Sequence, residues 1–140
     1  MSRDSRPAIE MMSWKFSCEC KAEIPLPPAY SFPQAFNYLN AESNSFYILQ
    51  HENGNYIQCG GSKKSCCVEI RIYNQDGSYK HNVIGHITGS DMPAVVQMSA
   101  GVVHVLEREV LSHWDAIELF KRFFASEQLP AEYSLRVVDR

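Results

Sequence analysis

The chain lacks any apolar run approaching the ~20 residues that a membrane-spanning helix requires, so no membrane association is expected. It is also poor in clustered cations. Lys and Arg number 13 against 16 Asp and Glu, for a net charge of −3, and Lys63-Lys64, the basic cluster outside the C-terminal apolar stripe, falls in a Gly/Ser-rich turn. Neutralising a phosphate backbone needs grouped Lys and Arg, so nucleic acid is not an expected partner. Arg3 and Arg6 are not followed by the apolar segment of about 7–15 residues that a secretory leader carries. The five cysteines are an odd number, which reads as reduced thiols and a cytoplasmic location.

Recognisable catalytic spacings are missing as well. There is no H-E-x-x-H and no G-x-S-x-G. Gly60-Gly61-Ser62-Lys63-Lys64-Ser65 resembles a phosphate loop in composition, but a strand pattern follows it where a helix should, so a tight turn is the better reading. Cys18-x-Cys20 and the adjacent Cys66-Cys67 fit no structural zinc spacing. Neighbours on a strand also point to opposite faces, which keeps Cys66 and Cys67 from chelating one ion. His81 and His86 are separated by an odd number of residues and are expected on opposite faces too. No metal, no cofactor and no enzymatic activity are therefore expected.

What is present is enough for one domain. A length of 140 residues, 45% of them hydrophobic, suits a single unit spanning 1–140. Only residues 1–10, rich in Ser, Arg, Asp and Pro, read as flexible. Residues 12–21 alternate: Met12, Trp14, Phe16, Cys18 and Cys20 on one side, Ser13, Lys15, Ser17, Glu19 and Lys21 on the other. That period of two predicts a half-buried strand with both cysteines facing the core. The Pro25-to-Pro28 stretch interrupts ladder bonding, and Pro33 predicts a short helix through Ala35, Phe36 and Leu39. From Ser45 onward, strands at 46–51, 55–59, 66–73 and 79–87 are separated by turns, with Asn53-Gly54 the strongest hairpin signal. Two more strand candidates, 94–98 and 102–111, follow the loop at 89–93, and residues 106–111 also admit a helix.

Near the C-terminus, Ser112 and Asp115 have the spacing of a capping box. Trp114, Ala116, Ile117, Leu119, Phe120, Phe123 and Phe124 form an apolar stripe at helical spacing, with Asp115, Glu118, Lys121 and Arg122 opposite. Pro130 ends that helix, and residues 133–138 read as a last strand. The expected fold is α+β: a curved, mainly antiparallel meander sheet, a long amphipathic helix near the C-terminus and a short N-terminal helix. If 102–111 is one strand, Glu107 and Glu109 share an outward face and offer an acidic patch for steering a basic partner. Tyr73, with Tyr47 and Tyr56 as alternatives, is the aromatic candidate for anchoring the same interface.

The segment from Leu111-Ser112-His113-Trp114-Asp115-Ala116 through Leu119-Phe120, Phe123-Phe124 and Leu129-Pro130 to Tyr133-Ser134-Leu135-Arg136 has a recognisable order. It resembles the C-terminal helix, proline break and final strand of small immunity proteins from bacterial polymorphic-toxin and contact-dependent inhibition systems. The preceding strands, with Tyr56-Ile57-Gln58 and Val68-Glu69-Ile70-Arg71 around glycine turns, are similar in style, so the likeness spans residues 45–138. The resemblance implies a cytoplasmic, non-catalytic domain that binds and occludes a cognate toxin. Two alternatives stand beside it: a regulatory or adaptor domain for another protein, and a module holding an apolar ligand between sheet and helix. A homodimer stays open alongside a monomer.

Overall fold

The structure, a computed structural model, describes residues 13–26 and 32–140. Met12 and the prolines at 27 and 28 lie outside the described residues, as do residues 1–10. The strands are β1 (Trp14–Cys18), β2 (Lys21–Ile24), β3 (Phe46–His51), β4 (Tyr56–Gly61), β5 (Cys66–Tyr73), β6 (Tyr79–Gly85), β7 (Pro93–Met98), β8 (Gly101–Leu106) and β9 (Ser134–Val137). The helices are α1 (Phe32–Phe36) and α2 (His113–Ser126), with a 3₁₀ turn at Glu107–Glu109. Seven strands form an open antiparallel sheet in the order β2-β1-β3-β4-β5-β6-β9, and β7 and β8 form a separate hairpin. Among the described residues no helix is long and apolar enough to cross a membrane.

Strand alternation divides the sheet into two covered faces. One carries Trp14, Phe16, Leu49, Ile57, Val68, Ile70 and Ile84, packed beneath both helices. Phe120 of α2 is fully buried there, its ring centroid 4.8 Å from that of Phe36, 6.1 Å from Phe32 and 6.4 Å from Phe16. Such edge-on ring pairs add roughly 0.5–1.5 kcal/mol each beyond the area they bury. This interdigitation packs rings between the sheet and α2.

Ser112 caps α2: its hydroxyl accepts from the Asp115 amide, and the Asp115 carboxylate accepts from the Ser112 amide at 3.1 Å. The segment before the helix is tied down by a two-way bridge between Cys66 and Leu111 and by the His113 amide donating to the Lys63 carbonyl at 2.8 Å. Trp114 departs from the predicted stripe. It sits in the first turn, is exposed, and packs on His113 with centroids 4.5 Å apart.

The hairpin lies on the other face. Val96 and Val105, with Ala94 and Val103, pack around Cys67. Close approach is possible because Gly60 has no side chain: a Cβ there would come within 2.7 Å of Met98 Sδ. The hairpin tip is held by Glu19, whose carboxylate accepts from Ser99 Oγ at 2.5 Å and from Ser45 N and Oγ at 2.8 and 2.7 Å. Those donors, Ser99 foremost, lower the Glu19 pKa from the usual carboxylate value.

Three expectations are corrected. The first strand stops at Cys18, where the register with β2 shifts, and Cys20 is an exposed turn residue with its thiol on the Ser43 carbonyl. Residues 102–111 are not one strand. β8 ends at Leu106 and the chain turns through Glu107–Glu109, so Glu107 and Glu109 share no strand face. Tyr47 points into the helix-covered core, stacked between Phe16 and Phe36 and donating to the Ala35 carbonyl.

Candidate functional site

Folding the hairpin over the sheet creates a cleft of about 580 Å³. Phe46 and Ile48 of β3, Met98 of β7 and Val102 and Val103 of β8 line its apolar part. Its polar part is Gln58, Glu69 and Arg140, with His104 also on the lining. The register explains the convergence. Gln58 faces Glu69 across β4 and β5, and Arg71 faces His81 across β5 and β6, all on the hairpin side of the sheet.

These residues form a closed polar circuit. Arg71 Nε donates to His81 Nδ1 at 3.1 Å. An accepting Nδ1 means that the neutral imidazole carries its proton on Nε2, which donates to Glu69 Oε1 at 2.6 Å. Gln58 Nε2 reaches the same oxygen at 3.4 Å. The other carboxylate oxygen, Oε2, pairs with Arg140 Nη1. Arg71 Nη2 closes the ring by donating to the Arg140 main-chain oxygen at 2.7 Å, where the Tyr79 hydroxyl also donates at 2.7 Å. The Arg71 guanidinium lies 4.0 Å from the Tyr79 ring centroid and 5.2 Å from that of Tyr56. A buried carboxylate is costly unless paired and hydrogen-bonded. Glu69, with a side chain 5% exposed, is both.

Cys67 stands on the cleft wall. Burial, reinforced by Glu69, pushes its thiol up to about 12. It is therefore a neutral wall element at physiological pH and not a thiolate nucleophile. Among the described residues no group of three or more His, Cys, Asp or Glu is placed to hold a metal ion.

The residues picked from sequence lie elsewhere. Glu107 is exposed on the 3₁₀ turn. Glu109 is buried, and both its oxygens accept from Arg136, at 2.7 Å each. Tyr73 is half-buried against Tyr79, 5.2 Å between centroids, at the far end of β5 from the cleft wall at Cys67. The hairpin's outer side is a second feature. Val95 and Val102 are exposed diagonal neighbours on it, with Met92 and Ile87 exposed at its base. No family model matches the chain, and no curated protein matches its sequence.

Proposed function

We propose that the chain is an immunity-type protein that binds a cognate bacterial toxin domain in the cytoplasm and neutralises it by occlusion. The observation that supports this reading is the exposed apolar strip of Val95 and Val102, diagonal neighbours on the hairpin, with Ile87 and Met92 exposed near its base. Exposed apolar surface of this kind marks protein contacts. It sits on a hairpin pinned at its tip by Glu19 and at its base by Arg108, which bonds Asp91 and the carbonyls of Ile87 and Gly89. A rigid platform presents side chains for binding at low entropic cost. The exposed Glu107, whose amide donates to the Met92 carbonyl, favours a basic partner by steering its approach. An interface of ~800 Å² per partner centred there would cover a toxin's active cleft without chemistry by this chain.

The test is co-expression with the toxin domain encoded beside its gene. Cells should survive, and Val95→Glu with Met92→Glu should abolish protection while leaving the protein folded. Cys67→Ala and His104→Ala should protect normally. A folded variant that binds the toxin with unchanged affinity yet no longer protects would replace occlusion by catalysis.

A further inference from the structure

We propose that the cleft between the sheet and the β7–β8 hairpin binds a small amphipathic carboxylate, its apolar body on Phe46, Ile48, Met98 and Val103 and its head on Arg140. The cleft shares Val102 with the outer apolar strip, but its head group at Arg140 is not part of that strip and the proposal does not depend on the toxin reading.

Size and lining come first. A volume of about 580 Å³ falls within the roughly 300–1,000 Å³ of small-molecule sites, which combine apolar walls with a few convergent polar groups. The walls here are aliphatic and aromatic, and the polar groups gather around Glu69 and Arg140.

The sign of the ligand's charge follows from which polar atoms retain capacity. Glu69 is buried and already accepts from His81, Gln58 and Arg140, leaving at most one of its roughly four acceptor sites. Arg140 has a side chain 38% exposed, so an entering molecule meets the guanidinium before the carboxylate behind it. A guanidinium carries five donors in a planar fork suited to a carboxylate. In this circuit Arg140 gives one of them, from Nη1, to Glu69. Gln58 and His104 add donors on the lining. Glu69 also fixes the orientation of Arg140 before the ligand arrives, the preorganisation that reduces the entropic cost of binding.

Octanoate is the probe, titrated into the ¹⁵N-labelled protein while amide shifts are followed at neutral pH. Saturable shifts are expected at Gln58, Gly60, Cys67, Val103 and the Arg140 side-chain Nε. Octylammonium, matched in its chain, should bind at least about tenfold more weakly. Arg140→Gln should weaken octanoate about tenfold or more by removing the charged fork. Ile48→Trp fills the apolar half, leaves the circuit intact, and should also remove binding. The amide spectrum of each variant verifies its fold, so a loss in Ile48→Trp stands even if Arg140→Gln is perturbed. No saturable shift with octanoate would overturn the proposal, as would equal binding of octylammonium or unchanged affinity in folded Arg140→Gln.

Discussion

Removing Arg136 should destabilise the protein far more than its position on an edge strand suggests. Its guanidinium grips Glu109 with Nε on Oε2 and Nη2 on Oε1, both at 2.7 Å, and among the described residues the other donor to that carboxylate is the Leu106 amide at 2.9 Å. Glu109 is 1% exposed whereas the Arg136 side chain is 40% exposed. The pair also raises the Arg136 pKa above its ordinary value, the hydrogen bonds to Glu109 being the main cause. Arg136→Ala therefore strands a buried charge on one amide. Breaking such a pair costs about 3–5 kcal/mol. Because Arg136 is partly exposed, water can replace some of the lost donors, which places the cost near the lower end, about 3 kcal/mol. For a domain of this size that is a Tm decrease of roughly 6–12 °C. Urea unfolding should show a lower midpoint with an unchanged m value. Replacing both partners, Arg136→Met with Glu109→Leu, should recover most of the loss, since an apolar pair leaves no charge stranded. A cost for Arg136→Ala below ~1 kcal/mol, the range of exposed ion pairs, would refute the reasoning.

Three further outcomes follow from the packing. Of the five thiols, Cys20 alone should react rapidly with a disulfide reagent in the native protein, because Cys18, Cys59, Cys66 and Cys67 are buried; fast native labelling of Cys67 would contradict its place on the cleft wall. Phe120→Ala should cost about 3–5 kcal/mol by denaturant titration, against little for Lys121→Ala, and equal small effects would mean that α2 is not anchored through that ring. Stability should also fall in alkali. Cys67 shifts from 9.0 and Tyr47 from 10.0, each to about 12, so folding keeps protons that the unfolded chain has released. Their contribution is complete below pH 9 and is lost as pH rises toward 12. Cys67→Ala should make that decline shallower, and an identical slope would remove Cys67 as a cause.

Local signals carried much of the strand pattern. Alternation and turn residues delimit β3 and β5 at Phe46–His51 and Cys66–Tyr73, and Asn53-Gly54 lies in the turn between β3 and β4. Errors arise where a tertiary contact overrides the period. Cys20 continues the two-residue alternation of β1, yet its amide donates to the Asn44 side chain and its thiol to Ser43, so the chain turns there and returns as β2. Glu107 and Glu109 extend an apparent strand. The 3₁₀ turn breaks it because the Glu109 carboxylate accepts from the Leu106 amide at its start and from Arg136 of a strand distant in sequence. That partner is not a local property of residues 102–111.

The cleft was illegible for a related reason. Alternation along Cys66–Tyr73 separates Cys66, Val68, Ile70 and Ile72 from Cys67, Glu69, Arg71 and Tyr73, and an acid and a base on the second set read as a solvated face. A period of two identifies two faces without saying whether the second acquires a cover. The cover is the β7–β8 hairpin, itself alternating, whose inner residues Val96 and Val105 meet Cys67. Two features in the sequence were available: an apolar Cys67 beside Glu69, and consecutive glycines at 60 and 61 on the neighbouring strand, where a close approach requires a missing Cβ. Neither identifies Arg140, which is 71 residues from Glu69 and reaches it only because β9 pairs with β6 and carries the chain back across that face. Glu69 changes from a surface carboxylate to a buried one through three partners contributed by β4, β6 and the segment after β9. Its role is a property of strand order, which two-residue patterning does not encode.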